Sequence, residues 1–449
     1  MTSTPNTALS LQQLAPNVVA RVRDGDLNLA QMVLLGVGIV LIGAAWATGG
    51  EHFYASYLVG YMGVLGICLG ALFFTMLQHI VRAGWSVSVR RLAENMTATL
   101  PLMLLLFVPI LVGFDHIYHH WSHAQINPDV VGFDAVVAGK SGWLNKTFFF
   151  VRVGIYFTIW IGLGTYFRRM SLKQDETGDP AISLRLSRLA APGILLFALS
   201  ITFAAFDWIM SIDPHWFSTI FGITYFAGSY MAFLAFTILF AKWLGAKGYL
   251  REAITVEHYH DLGKLLFTFV VFWTYTNFSQ YMLIWYANLP EETRWFGDRA
   301  EGGWGAIGTI LVFGHFFIPF AFLLSRHIKR NTVTLCAGSI FLLLIHCCDM
   351  QFLILPSLGH HDSTHGGAAP GAAAHGAEHG DVGVAIESGL ARFPHELGTY
   401  LHGVSWADFG CFVGLIALVA GFTLMNVRRS NLLPLRDPRL SESLHFQNV

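Results

Sequence analysis

The chain has 449 residues, of which 54% are hydrophobic and only 12% charged, with a formal net charge of -1. Soluble domains carry about twice that charged share, so this is a membrane composition, and the near-neutral balance excludes the basic surface of a nucleic-acid binder. The five cysteines (Cys68, Cys336, Cys347, Cys348 and Cys411) lie in apolar runs without Cys-x-x-Cys or Cys-x-x-Cys-His spacing, which argues against an iron–sulfur cluster, a zinc ribbon or a covalent c-type haem in this chain.

Residues 1–29 are mostly polar, carry no cleavable signal pattern and read as a cytoplasmic N-terminal segment. A membrane domain follows over 30–427, and 428–449 form a C-terminal tail. Within the domain, apolar runs at roughly 30–48, 54–79, 98–114, 147–167, 190–211, 217–241, 263–286, 304–325, 332–356 and 406–427 are each long enough to cross a bilayer. They must do so as helices, because lipid cannot satisfy free backbone N–H and C=O groups. The predicted fold is therefore an all-α integral membrane protein with about ten transmembrane helices.

Ten spans put both termini on one side. Of the 27 Lys and Arg, 21 lie in or beside the termini and the even-numbered connections, and 5 in the odd-numbered ones. Arg152 lies inside the fourth span. By the positive-inside rule both termini are cytoplasmic, as in a bacterial inner-membrane protein. Two outer loops are long. The first, about 115–146, begins "DHIYHHWSH"; the second, 358–405, is rich in His, Gly and Ala. Its histidines are candidate metal ligands, but without apolar anchors they have no fixed geometry, and a flexible periplasmic insertion is the expected reading.

Ionisable groups inside spans need a partner, a water-filled cavity or a function. The stretch "FDWIMSIDPHWF" places Asp207 about one turn below the outer surface and Asp213 and His215 in the short outer turn after it. Asp115 and His116 end the third span at the same face, and Arg152 lies near the outer end of the fourth. His315 and His346 fall near mid-membrane, and Asp349 nearly one turn further out on the same helix face as His346. Arg152 is expected to snorkel or pair with an aspartate. His315 and His346 also match in depth well enough to raise the question of one b-type haem. Taken together, the acids and histidines are candidates for a graded proton track or the vicinity of a quinone. On the inner side, "EHYHDLGK" reads either as a helix start, with acids favouring its N-terminal dipole, or as the mouth of an inner half-channel.

The segments "FDWIMSIDPHWFSTIFGITYFAG", "HDLGKLLFTFVVFWTYTNFSQYMLIWYANLPEET" and "LNKTFFFVRVGIYFTIW" resemble the F subunits of bacterial Alternative Complex III, within the NrfD-like (polysulphide-reductase) membrane subunits. The resemblance implies a membrane subunit of a quinol:cytochrome c oxidoreductase, with spans two to five and six to nine forming two four-helix bundles plus peripheral helices. It implies no redox centre in this subunit, with a quinone as its candidate ligand. Haem c and iron–sulfur clusters would belong to partners: a multihaem cytochrome c and an iron–sulfur subunit. A sister subunit of the same fold, small membrane subunits and a terminal oxidase are the other candidate partners. The site residues would then be a proton pathway formed by Asp207, Asp213, His215, His315, His346, Asp349, Asp115 and Arg152. Two other readings stand beside this one: a self-contained ion or solute transporter, and a purely structural anchor of a redox complex.

Overall fold

A computed structural model describes residues 25–300, 303–359 and 382–448. Most of the N-terminal segment and the His-rich tract at 360–381 lie outside the described residues. Those described are helical, with no β-strand beyond one isolated bridge between Gln125 and Phe133. Nine of the described helices are long and apolar enough to cross a membrane, so the chain is an all-α, multi-pass membrane protein.

The seventh expected span, the one not among these nine, also forms a helix, α9 (Val256–Ala287), of 32 residues. At about 1.5 Å per residue it is long enough to cross. It is absent from the nine because Thr274, Thr276, Asn277, Ser279 and Gln280 make its outer half more polar.

The preceding helices in chain order are α1 (Gly25–Gly49), α2 (His52–Ile80), α3 (Val87–Thr97), α4 (Leu100–Leu105), α5 (Val108–Val112), α6 (Lys146–Thr177), α7 (Ala181–Trp208) and α8 (Phe221–Ala246). After α9 come α10 (Pro290–Asp298), α11 (Trp304–Leu311), α12 (Ile318–Leu324), α13 (Thr332–Gly359), α14 (Val382–Gly403) and α15 (Trp406–Arg429). Helices α2 and α8 are the most enclosed and pack on each other. Around α2 gather α3, α6, α7, α13 and α15; α9 and α13 pack on α8, α11 packs on α13, and α12 packs on α9 and α13.

Helix α1 touches mainly α15, and small residues make that approach possible. A Cβ at Gly38 would fall 2.6 Å from Leu418 and 2.7 Å from the Gly414 carbonyl. Backbones this close gain dispersion contacts that lipid tails cannot replace.

Two parts of the fold differ from the expectation. The connection after the second span was read as a basic loop, yet α3 is buried, with Arg90, Arg91, Glu94 and Asn95 all at most 4% exposed. Ion pairs permit this: Arg90 with Glu94 and Asp437, and Arg91 with Glu94 and Asp175. The second part is the far half of the insertion at 358–405, a loop by its sequence. It forms α14, which packs on α11.

Candidate functional site

The eighth span is built around an irregular turn. Between α11 and α12 the chain runs as a π-helix over Val312–Phe317. Pro319 has no N–H to donate to the His315 carbonyl four residues earlier, so the regular ladder is interrupted there. Such π turns re-aim a side chain within an otherwise continuous helix. Here that side chain is His315, which is fully buried.

His315 lies flat against Trp273 of α9, with ring centroids 3.6 Å apart and planes 14° apart. The indole Nε1 of Trp273 donates to Asp349 Oδ2 at 3.2 Å, and His315 Nε2 lies 4.0 Å from the same oxygen. That is too long for a direct hydrogen bond and suits transfer through one water. His346 stands one turn before Asp349 on α13 and is also fully buried. Gly228 of α8 faces both: a Cβ there would lie 3.4 Å from Asp349 Oδ2 and 3.6 Å from His346 Nδ1. Among the described residues none of the four ring nitrogens of His315 and His346 has a hydrogen-bond partner. A buried polar atom is normally paired, so this group is built to exchange hydrogen bonds. His315 and His346 are the residues here able to hold a ligand or pass a proton. Among the described residues no group of three or more metal-ligating side chains occurs.

Asp207 occupies a different kind of site, where every lone pair is used. Its Oδ1 accepts from Trp143 Nε1 at 2.8 Å and Arg152 Nη2 at 2.9 Å. Its Oδ2 accepts from Arg152 Nε at 2.6 Å and the Tyr156 hydroxyl at 2.6 Å. The Arg152 guanidinium also lies over the Trp143 and Phe148 rings at 4.3 and 4.5 Å. Arg152 thus pairs with an aspartate, and none of the Asp207 hydrogen bonds reaches His346 or Asp349.

The remaining residues, Asp213, His215 and Asp115, make separate ion pairs and turn contacts. His215 Nε2 pairs with Asp134 Oδ2 at 2.8 Å, and the His215 N–H donates to Asp213 at 3.1 Å. Asp115 pairs with Lys146 at 2.6 Å and His123 at 3.4 Å. The Lys146 hydrogen bond holds the half-exposed Asp115 carboxyl below its ordinary range. The eight residues therefore form separate groups.

Sequence reasoning missed an outer cavity of about 700 Å³, whose lining includes His52, Tyr54, His116, Trp304, Tyr400 and Asp408. His52 Nε2 lies 3.0 Å from Asp408 Oδ1, which also accepts from Ser56 at 2.6 Å. Asp408 is buried because it closes a capping box with Ser405 at the start of α15. The Tyr400 hydroxyl of α14 donates to Gln351, two residues beyond Asp349. Asp408 was legible as a cap, but nothing in the sequence brings it to His52.

No family model matches the chain, and no curated protein does. The site's chemistry therefore stands on its own geometry: two buried histidines without partners among the described residues, a sparsely bonded carboxylate, and a cavity lined by Leu355 and Leu358 further along α13.

Proposed function

We propose that this chain is a membrane subunit of a respiratory quinol:electron-acceptor oxidoreductase, and that it carries protons through His315, His346 and Asp349 toward the outer cavity. The observation that carries the proton role is the set of buried imidazole nitrogens of His315 and His346 without a partner among the described residues, with His315 Nε2 at 4.0 Å from Asp349 Oδ2. Imidazole both donates and accepts near neutral pH, and a carboxyl group beside it can alternate with it. Quinol oxidation releases two protons per molecule, which need such acceptors.

The place in a quinol-oxidising complex rests on the resemblance of the segments around Asp207 and in α9. In that complex the haem and iron–sulfur centres sit in partner subunits, a quinone is the candidate ligand of this one, and both termini face the cytoplasm of a bacterial inner membrane. The experiment is difference infrared spectroscopy of the purified complex in H2O and D2O during quinol oxidation. A carboxyl band that shifts with deuterium and is lost in Asp349→Asn supports the reading. A spectrum unchanged by that substitution removes Asp349 from the path.

A structural reading is favoured for one residue. Asp207 has four donors on two oxygens, which suits a fixed charge that locks α6 to α7 better than one that releases its proton.

A further inference from the structure

A second cavity, of about 530 Å³, opens at the opposite end of α2. Its lining includes Gln78, His79, Arg82, Arg90, Leu184 and Arg439. These residues come from the end of α2, the buried helix α3, the start of α7 and the C-terminal tail, all on the basic face of the molecule.

Three observations give this cavity a chemistry. Gln78 and His79 are 3% and 5% exposed, and Gln78 Oε1 and His79 Nε2 have no partner among the described residues. An amide is reversible about its last bond and an imidazole can carry its proton on either nitrogen, so both residues can present N–H donors to a bound acceptor. Next, Arg82 donates Nε to Ser187 Oγ at a long 3.4 Å and makes no ion pair with a described residue. By contrast, Arg90 is held by Asp437 at 2.5 Å and Arg439 by Glu442 at 2.6 Å. Finally, Arg82 has a φ of 48° in the left-handed region, directly after the C-cap Val81. Glycine fits that position without strain, so an arginine there is held against a backbone preference. The N-terminus of the 28-residue helix α7 adds its dipole at Pro180 and Ser183, which also line the cavity.

We propose that this cavity is a phosphate-ester site, gripped by Arg82 with Gln78 and His79 as further donors, and that it seats the headgroup phosphate of an anionic membrane lipid. Arginine is suited to phosphate because its fork of N–H groups matches two oxygens at once. The apolar surroundings favour a lipid as the source. Ile80 and Val81 are exposed beside the cavity, and Leu184, Leu195, Leu196 and Leu199 continue an exposed apolar surface along α7. An acyl chain would lie there while the phosphate enters the cavity.

The test uses the purified full chain, with whatever subunits accompany it, in nanodiscs and in detergent. The decisive variant is Arg82→Gly, which removes the cation and relieves the positive φ, so folding is not at risk. The protein should unfold at a higher temperature with phosphatidylglycerol than with phosphatidylcholine. The apparent affinity for phosphatidylglycerol should fall at least about tenfold in Arg82→Gly, the loss of one charged hydrogen-bonding group. Protection by phosphatidylglycerol that inorganic phosphate and glycerol 3-phosphate neither reproduce nor compete away assigns the site to the lipid. Protection by those soluble phosphates, lost in Arg82→Gly, keeps the phosphate site and overturns the lipid as its source. Equal protection by both lipids, or equal phosphatidylglycerol protection of the two proteins, overturns the proposal.

Discussion

Asp207→Asn separates a locked ion pair from a proton carrier, and its cost follows from the geometry. The change puts an NH2 group where one carboxylate oxygen stood. Oδ1 receives Trp143 and Arg152, and Oδ2 receives Arg152 and Tyr156. The Tyr156 hydroxyl can turn to accept from an amide NH2 at the Oδ2 position, so the better orientation sets one donor, Arg152 Nε, against a donor and loses that hydrogen bond. That bond to a charged group is worth about 1.5–3 kcal/mol, and the lost charge attraction brings the total to about 3–5 kcal/mol. Breaking a buried pair by removing one partner costs about the same, because Arg152 at 3% exposure is left without its counter-ion. In an Arg152→Met background no donor opposes the new amide, so the same change should cost on the order of 2 kcal/mol less. The assay is unfolding of the purified protein in mixed micelles, run as a double-mutant cycle. Asp207→Asn with wild-type stability and no coupling to Arg152 would refute the lock. If proton translocation also fell selectively, Asp207 would join the pathway.

Further outcomes follow from other parts of the molecule. Pro356 leaves the Phe352 carbonyl without its helical N–H, and Arg299 Nε donates to it at 2.9 Å while Nη2 reaches Leu353 O at 3.0 Å. Arg299→Met should destabilise the protein by about 2–4 kcal/mol, and Pro356→Ala in that background should recover part of the loss in the same unfolding assay. Topology is tested on cysteines at two exposed sites: an impermeant reagent should label Val131→Cys in intact spheroplasts and leave Glu176→Cys untouched, and the reverse would invert the orientation. The purified chain, freed of partners, should show no b-type band in a reduced-minus-oxidised spectrum; a band abolished by His315→Ala would make the two histidines haem ligands.

The spans were legible because hydropathy over about twenty residues is a local property. That His346 and Asp349 share a helix face was legible for the same reason, since they stand three residues apart. Their company was not. Trp273 lies among other aromatics in "FVVFWTYTN", and only tertiary packing shows that its ring covers His315. Arg90, Arg91 and Glu94 resemble solvated loop charges, because their ion partners Asp437 and Asp175 stand far away in sequence. Helix α14 was hidden by the Gly- and Ala-rich tract before it and by Pro394 within it. The outer cavity needs Asp408 beside His52, a pairing across 356 positions of sequence. Local pattern thus gave the helices and the buried charges, while the partners of those charges are a property of the packed state.

Proton release per electron, measured in proteoliposomes carrying the intact complex, tests the role of Asp349 most directly. Asp349→Asn keeps the shape of the side chain and an oxygen for Trp273 Nε1, whose bond is 3.2 Å in the native protein. Assembly and quinol oxidation without a proton gradient should therefore persist, while proton release through this subunit falls by about tenfold or more. Asp349→Glu, which restores an exchangeable proton, should recover part of it. Wild-type proton stoichiometry in Asp349→Asn would contradict the account and leave the buried histidines as packing groups.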